Sequence, residues 1–196
     1  KGGSFVFDSK SLGGGQSGSL SDKLQAGGFD GDLAFRLREG NVEINKDVSA
    51  ESFILSADTG AITLNSAITR AGSDGGYVEI NSGSDLTLAA TSLIDVSGAS
   101  GEGGTVRLSA SKSGSSESGV LSIDAGSRIV AAGAGSETDP RKARVWLRAE
   151  RDGNGVKMNV AGGAIENAGE VIVEAYRVYT GGSWSGSWDT HAGDYI

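Results

Sequence analysis

Apolar and polar residues alternate along most of this chain in short runs, and the runs resemble one another. The clearest stretch lies between Gly60 and Gly133. Ile62 and Leu64 are answered 24 residues later by Leu86 and Leu88, and 35 residues after that by Leu121 and Ile123. Ile94 and Val96 correspond, again at an offset of 35, to Ile129 and Ala131. The turn Asp74-Gly75-Gly76 before Val78 and Ile80 recurs as Glu102-Gly103-Gly104 before Val106 and Leu108. Period-2 alternation predicts strands with one buried face. Recurrence of a three-strand unit predicts a solenoid, in which each unit buries its apolar face by stacking on its neighbours.

Taken in order, residues 1–40 read as an irregular first coil and a possible cap. Phe5 and Phe7 mark a short strand, residues 11–28 a Gly/Ser-rich loop with one helical turn around Leu20 to Leu24, and Leu33, Phe35 and Leu37 a second strand. The regular coils span residues 41–179 and begin with Val42/Ile44, Val48 and Phe53 to Leu55. Coil two is Ile62/Leu64, Ile68 and Val78/Ile80; its middle strand is the weakest, because Arg70 stands where an apolar residue is expected. Coil three is Leu86/Leu88, Ile94/Val96 and Val106/Leu108, and coil four Leu121/Ile123, Ile129/Ala131 and Val145/Leu147. Coil five is Met158/Val160, Ile165 and Val171/Val173, followed by the strand-like residues 176–179. Residues 180–196 form a polar tail or cap. Turn insertions fall at 111–119 and 134–142, the second holding the only proline, Pro140.

The pattern predicts an all-β parallel β-helix of about five to six three-strand coils. A β-sandwich is the competing architecture. It is disfavoured because two-residue Asn-Gly or Asp-Gly links do not join the strands; Asp74-Gly75 and Asp152-Gly153 read as parts of longer connections. Stacked coils predict an inner column of Leu64, Leu88 and Ile123. The predicted outer columns are Thr63/Thr87/Ser122, Thr69/Asp95/Val130 and Glu79/Arg107/Trp146, with Glu43 one coil below Thr63. A Glu79–Arg107 contact would contribute at most about 1 kcal/mol. At a strand spacing of about 4.8 Å the coils make a rod of roughly 25–30 Å.

Composition fits this picture. The chain has 196 residues, 33 of them Gly and one Pro, without a triplet period, so the glycines serve turns. The net charge of −8 argues against a nucleic-acid partner. The absence of Cys removes disulfides, thiolate catalysis and Cys-zinc sites. No run of 18 apolar residues exists, so a membrane span is not expected. The chain opens on Lys1 without a signal-peptide pattern, and the expectation is an internal or processed segment of a longer protein.

Candidate chemistry is sparse. Gly13, Gly15 and Gly18 match GxGxxG, but Ser19–Gln25 is too short and polar for the helix a dinucleotide site requires. Residues 27–33 hold a Gly/Asp cluster faintly like calcium repeats, yet it does not recur at nine-residue spacing. His191 is the only histidine, which leaves zinc sites and a Ser-His-Asp triad without partners. Residues 182–186 place Trp184 where a nucleophilic serine would stand in GxSxG. No predicted outer column holds two carboxylates on adjacent coils, as sugar-cleaving sites of this architecture would need. Neither an enzyme activity, a cofactor nor a metal is expected. Trp146, Trp184 and Trp188 remain as candidate ligand contacts. Trp184 and Trp188 either stack on a sugar or pack back onto the last coil, the second being favoured.

The line GGFDGDLAFRLREGNVEINKDVSAESFILSADTGAITL resembles the repeat region of filamentous-haemagglutinin-like exoproteins, the large secreted partners of two-partner secretion systems in Gram-negative bacteria. DGGYVEINSGSDLTLAATSLIDVSGASGEGGTVRLSA looks like the same material, and the resemblance extends over about residues 27–182. The family's amino-terminal secretion domain, with its NPNG- and NPNL-like motifs, has no counterpart in these residues. The resemblance implies a right-handed parallel β-helix at the cell surface or released outside, secreted through an outer-membrane transporter. The expectation is therefore a structural rod of a secreted or surface-exposed adhesin, with turn loops that contact a host or neighbouring-cell glycan or protein. A carbohydrate-binding module is the alternative, and a polysaccharide lyase or hydrolase using Glu79 or Arg107 a further one.

Overall fold

The structure, a computed structural model, describes residues 2–12, 22–70, 72–99, 102–111, 119–133, 143–162 and 164–177. Two strands, β1 (Phe5–Ser9) and β2 (Asp32–Leu37), pair in parallel and open one sheet. The chain then makes five similar passes, each contributing one strand to each of three sheets. The first pass is β3 (Val42–Ile44), β4 (Val48–Ala50) and β5 (Ser52–Ala57). The second is β6 (Ile62–Leu64), β7 (Ala67–Arg70) and β8 (Tyr77–Ser82), and the third β9 (Leu86–Leu88), β10 (Leu93–Asp95) and β11 (Thr105–Ala110). The fourth is β12 (Leu121–Ile123), β13 (Arg128–Val130) and β14 (Arg144–Asp152). After a short strand β15 (Gly155–Val156), the fifth pass is β16 (Met158–Val160), β17 (Ile165–Glu166) and β18 (Glu170–Tyr176).

Equivalent strands of successive passes pair in parallel, giving two five-stranded sheets and one of eight strands. The three parallel sheets are compatible with a parallel β-helix. Registers match the expected columns. Leu88 pairs with Leu64 on one side and Ile123 on the other, and all three are buried. Thr63, Thr87 and Ser122 stand in line on the outside of the first sheet, and Thr69, Asp95 and Val130 on the second.

The inward faces of all three sheets meet in one core of Val, Ile, Leu and Ala. The same alternation turns the corners. From Gly60 to Ile68 every even-numbered residue is buried, Ser66 among them. Ser66 donates from Oγ to the carbonyls of Ile44 and Lys46 in the pass below, at 3.0 and 2.9 Å. Ser82 does the same at the next corner, toward Gly60 O and Asp85 O. Ile44 O and Asp85 O also accept the backbone N–H of Asn65 and Ile62, so the serine hydroxyls add a second bond there and reach Lys46 O and Gly60 O besides. The recurrent Gly-Gly turns also stack: Gly75 N donates to Glu102 O at 3.0 Å, and Thr105 N to Gly76 O at 2.9 Å. A Cβ at Gly104 would lie 2.2 Å from Val96 O and 2.4 Å from Gly76 O, so the close approach of these turns requires glycine.

Two expectations need correction. Asp152-Gly153 does begin a hairpin: β15 pairs antiparallel with the end of β14, Asp152 opposite Gly155, leaving Gly153 and Asn154 as a two-residue link. Gly153 has φ +56°, the left-handed conformation such a link demands. Glu150 and Lys157 close its base with an ion pair of 2.6 Å. In the fifth pass Val160, Val171 and Val173 hold the expected registers but are 43, 47 and 54% exposed. No strand among the described residues stacks beyond them. The opposite end is covered by rings: Phe5 lies 6.0 Å from both Phe29 and Phe35, and Phe35 5.8 Å from Phe53. Leu24, on a helical turn at residues 22–26, is buried there and borders a small apolar cavity of about 60 Å³.

Candidate functional site

The outward face of the eight-stranded sheet carries the densest chemistry. Its strands are six or more residues long in β5, β8, β11, β14 and β18, so each presents several outward side chains. Register aligns Glu79, Arg107, Trp146 and Ile172 in one row, and Asn81, Ser109, Arg148 and Glu174 in the next. All of these except Ile172 line an open depression of about 200 Å³.

The expected column of Glu79, Arg107 and Trp146 is present, but its contacts differ from those expected. Arg107 makes no ion pair with Glu79 among the described residues. Glu79 instead accepts hydrogen bonds from its own strand, from the Tyr77 hydroxyl and from Asn81 Nδ2 at 2.8 Å. Arg107 stays close enough to act on Tyr77 and Glu79, but its guanidinium carbon lies 4.5 Å from the centre of the Trp146 ring on the other side. The neighbouring arginines are paired. Arg144 Nε lies 2.8 Å from Glu170 Oε2, an ion-pair contact off the line of a hydrogen bond, and Arg148 Nε lies 4.0 Å from Glu174 Oε2. Arg148 also sits 5.3 Å from the Tyr176 ring. Trp146 Nε1 is buried and has no hydrogen-bond partner.

These contacts set the charge states. Burial alone would raise the Glu79 carboxyl, but hydrogen bonds from Tyr77 and Asn81 and the charge of Arg107 outweigh it and hold the group below its ordinary value. Burial, aided by the Glu79 carboxylate, pushes the Tyr77 phenol above its ordinary value despite the opposing Arg107. Glu79 is therefore ionised and Tyr77 protonated near neutral pH. The second carboxylate of the depression, Glu174, stands three strands away, about 14 Å by strand spacing. Paired carboxylates of glycoside hydrolases stand about 5–10 Å apart.

The other outward faces are simpler. Arg128 forks onto Glu166 with both contacts at 2.7 Å. Asn65 Nδ2 donates to Asn45 Oδ1 at 2.7 Å, beside the Ser/Thr row of the first sheet. Arg36 pairs with Asp58, and Arg38 with Asp8. Among the described residues no three His, Asp or Glu side chains gather as metal ligands, and no helix is long and apolar enough to cross a membrane.

Of the three tryptophans singled out from the sequence, Trp146 lies in the depression, while Trp184 and Trp188 lie outside the described residues. So do His191, the glycines Gly13, Gly15 and Gly18, and nearly all of both turn insertions. Tyr77, Asn81, Ser109, Arg148 and Glu174 were not expected at a site. The first four share the outward parity of Glu79, Arg107 or Trp146, two residues away along the same strands, and that was their signal. No protein-family model matches the chain, and neither a curated protein nor a solved structure does.

Proposed function

We propose that the chain is a right-handed parallel β-helix that serves as a rod segment of a secreted or surface-exposed bacterial exoprotein, of the filamentous-haemagglutinin-like kind. The observation that carries this reading is the register: equivalent residues pair in parallel through five passes, with Leu64, Leu88 and Ile123 in one buried line. Crossovers between parallel strands of one sheet are right-handed in nearly all proteins, which supports the hand. A stack of this kind tolerates insertions only at its turns, and the insertions at 111–119 and 134–142 fall between strands. In this reading the turn loops make the adhesive contacts, and the sheets hold them at a fixed spacing.

The test is adhesion of the chain, immobilised on beads, to epithelial and bacterial cells. Replacing residues 112–118 and 135–142 by Gly/Ser linkers of equal length should leave the circular-dichroism spectrum and melting temperature near the parent's and reduce adhesion several-fold. Beads that adhere no better than uncoated ones, or adhesion indifferent to both replacements, would reject the adhesive role.

A further inference from the structure

We propose that the depression between Glu79 and Glu174 binds an acidic glycan, with Arg107 receiving a sugar carboxylate. The site is distinct from the turn loops. Three observations support it. Arg107 is exposed and, unlike Arg36, Arg144 and Arg148 on the same sheet face, has no carboxylate within ion-pair distance among the described residues. Trp146 holds its guanidinium from one side by cation–π contact, which orients the fork before a ligand arrives. Donors and acceptors then alternate across the depression, Glu79 and Glu174 at its ends and Arg107, Ser109 and Arg148 between them.

This arrangement fits a ligand that carries both carboxylates and hydroxyls. A planar guanidinium suits a carboxylate through two parallel hydrogen bonds. The carboxyl groups of Glu79 and Glu174 suit sugar hydroxyls, which donate. A peptide is less well served. Between β8 and β18 the strands beneath the depression are already paired with one another, so no strand can be inserted among them; the outer edge of β18 lies beyond Glu174, past the end of the depression. The lining offers little apolar surface for side-chain anchors.

Calorimetric titration of the whole chain with a hexamer of galacturonate tests the assignment. The same hexamer with its carboxyls methyl-esterified, and poly-glutamate of similar length, serve as the other arms. The acid hexamer should bind, and weaken as salt is raised. The ester and poly-glutamate should bind at least tenfold more weakly. Arg107→Gln should lower affinity for the acid hexamer at least tenfold, as should Ser109→Asp, which adds a carboxylate that repels the ligand and competes for Arg107. Adhesion through the turn loops should be unchanged in both variants, so failure here and failure of the rod reading are separable. No binding of the acid hexamer, equal binding of ester or poly-glutamate, or affinity unaltered in a folded Arg107→Gln or Ser109→Asp would overturn the proposal.

Discussion

Arg107 lies over the ring of Trp146 on the next strand, 4.5 Å from its centre, and leaves Glu79 on the preceding strand to be held by Tyr77 and Asn81. Both neighbours stand directly opposite Arg107 in register, so the choice between them was open to either side. An exposed ion pair contributes little, because both charges stay hydrated. Two hydrogen bonds within β8 already satisfy Glu79, and an aromatic face accepts a guanidinium with little loss of its hydration.

That contact is measurable. Arg107→Ala should lower stability by about 0.5–1 kcal/mol. In a Trp146→Leu background the same change should cost distinctly less. Urea unfolding of the four proteins of this cycle gives the coupling, and a coupling of zero would show that the stacked geometry contributes nothing.

The inward column should dominate stability. Leu88 is fully buried between Leu64 and Ile123, and Leu88→Ala should cost about 2–5 kcal/mol in chemical denaturation. Val173 occupies a formally equivalent inward position but is 54% exposed, and Val173→Ala should stay within about 1 kcal/mol. Similar losses at the two positions would mean that the core does not taper toward the fifth pass.

Glycines separate into steric and conformational classes. Gly104→Ala drives a methyl into two backbone carbonyls, Val96 O and Gly76 O, which cannot swing aside. It should destabilise at least as much as Leu88→Ala, or prevent folding. Gly153→Ala meets nothing within 4 Å but keeps φ +56°, and should cost about 1–2 kcal/mol. Gly162→Ala meets open space without that conformation and should be nearly neutral. Thermal melts of the three variants check the order.

The Tyr77–Glu79 pair should leave a mark on the pH profile. The folded-state value of Glu79 is depressed, so its contribution is present above the unfolded value near 4.5 and is lost as pH falls through the lower folded value. Wild type should therefore lose stability relative to Glu79→Gln below about pH 4.5. Tyr77 has the opposite sign: its folded value is raised, so its contribution is complete below the unfolded value of 10.0 and is lost as pH rises through the higher folded value. Wild type should converge on Tyr77→Phe only at strongly alkaline pH. Urea midpoints measured from pH 3 to about 11 give both arms, and flat differences across the range would remove the pair from the stability account.

Much of the backbone arrangement was readable from residue order. Offsets of 24 and 35 put Leu88 against Leu64 and Ile123, offsets of 28 and 39 put Arg107 against Glu79 and Trp146, and the pairs are found so. The hairpin at Gly153 was misread because its antiparallel partner is only two residues long, too short to show alternation. The buried corner serines were not anticipated either, since a serine reads as a turn residue unless the parity of its neighbours is followed through the turn. At the site, Trp146 was visible as an outward aromatic, but the depression joins four strands scattered from residue 77 to residue 176.

Residue order alone determined which positions are strands, which side chains point inward and which residues of successive passes lie abreast. It did so because burial of alternate apolar residues is worth kilocalories per pass, and a slip by one residue would turn every one of them to solvent. Only the tertiary structure decided which outward neighbour each long side chain takes, and how far the core remains covered at Val160, Val171 and Val173. The first choice rests on contacts that differ by less than about 1 kcal/mol, and the second on what stacks beyond the fifth pass. Neither is written in the period of the strands.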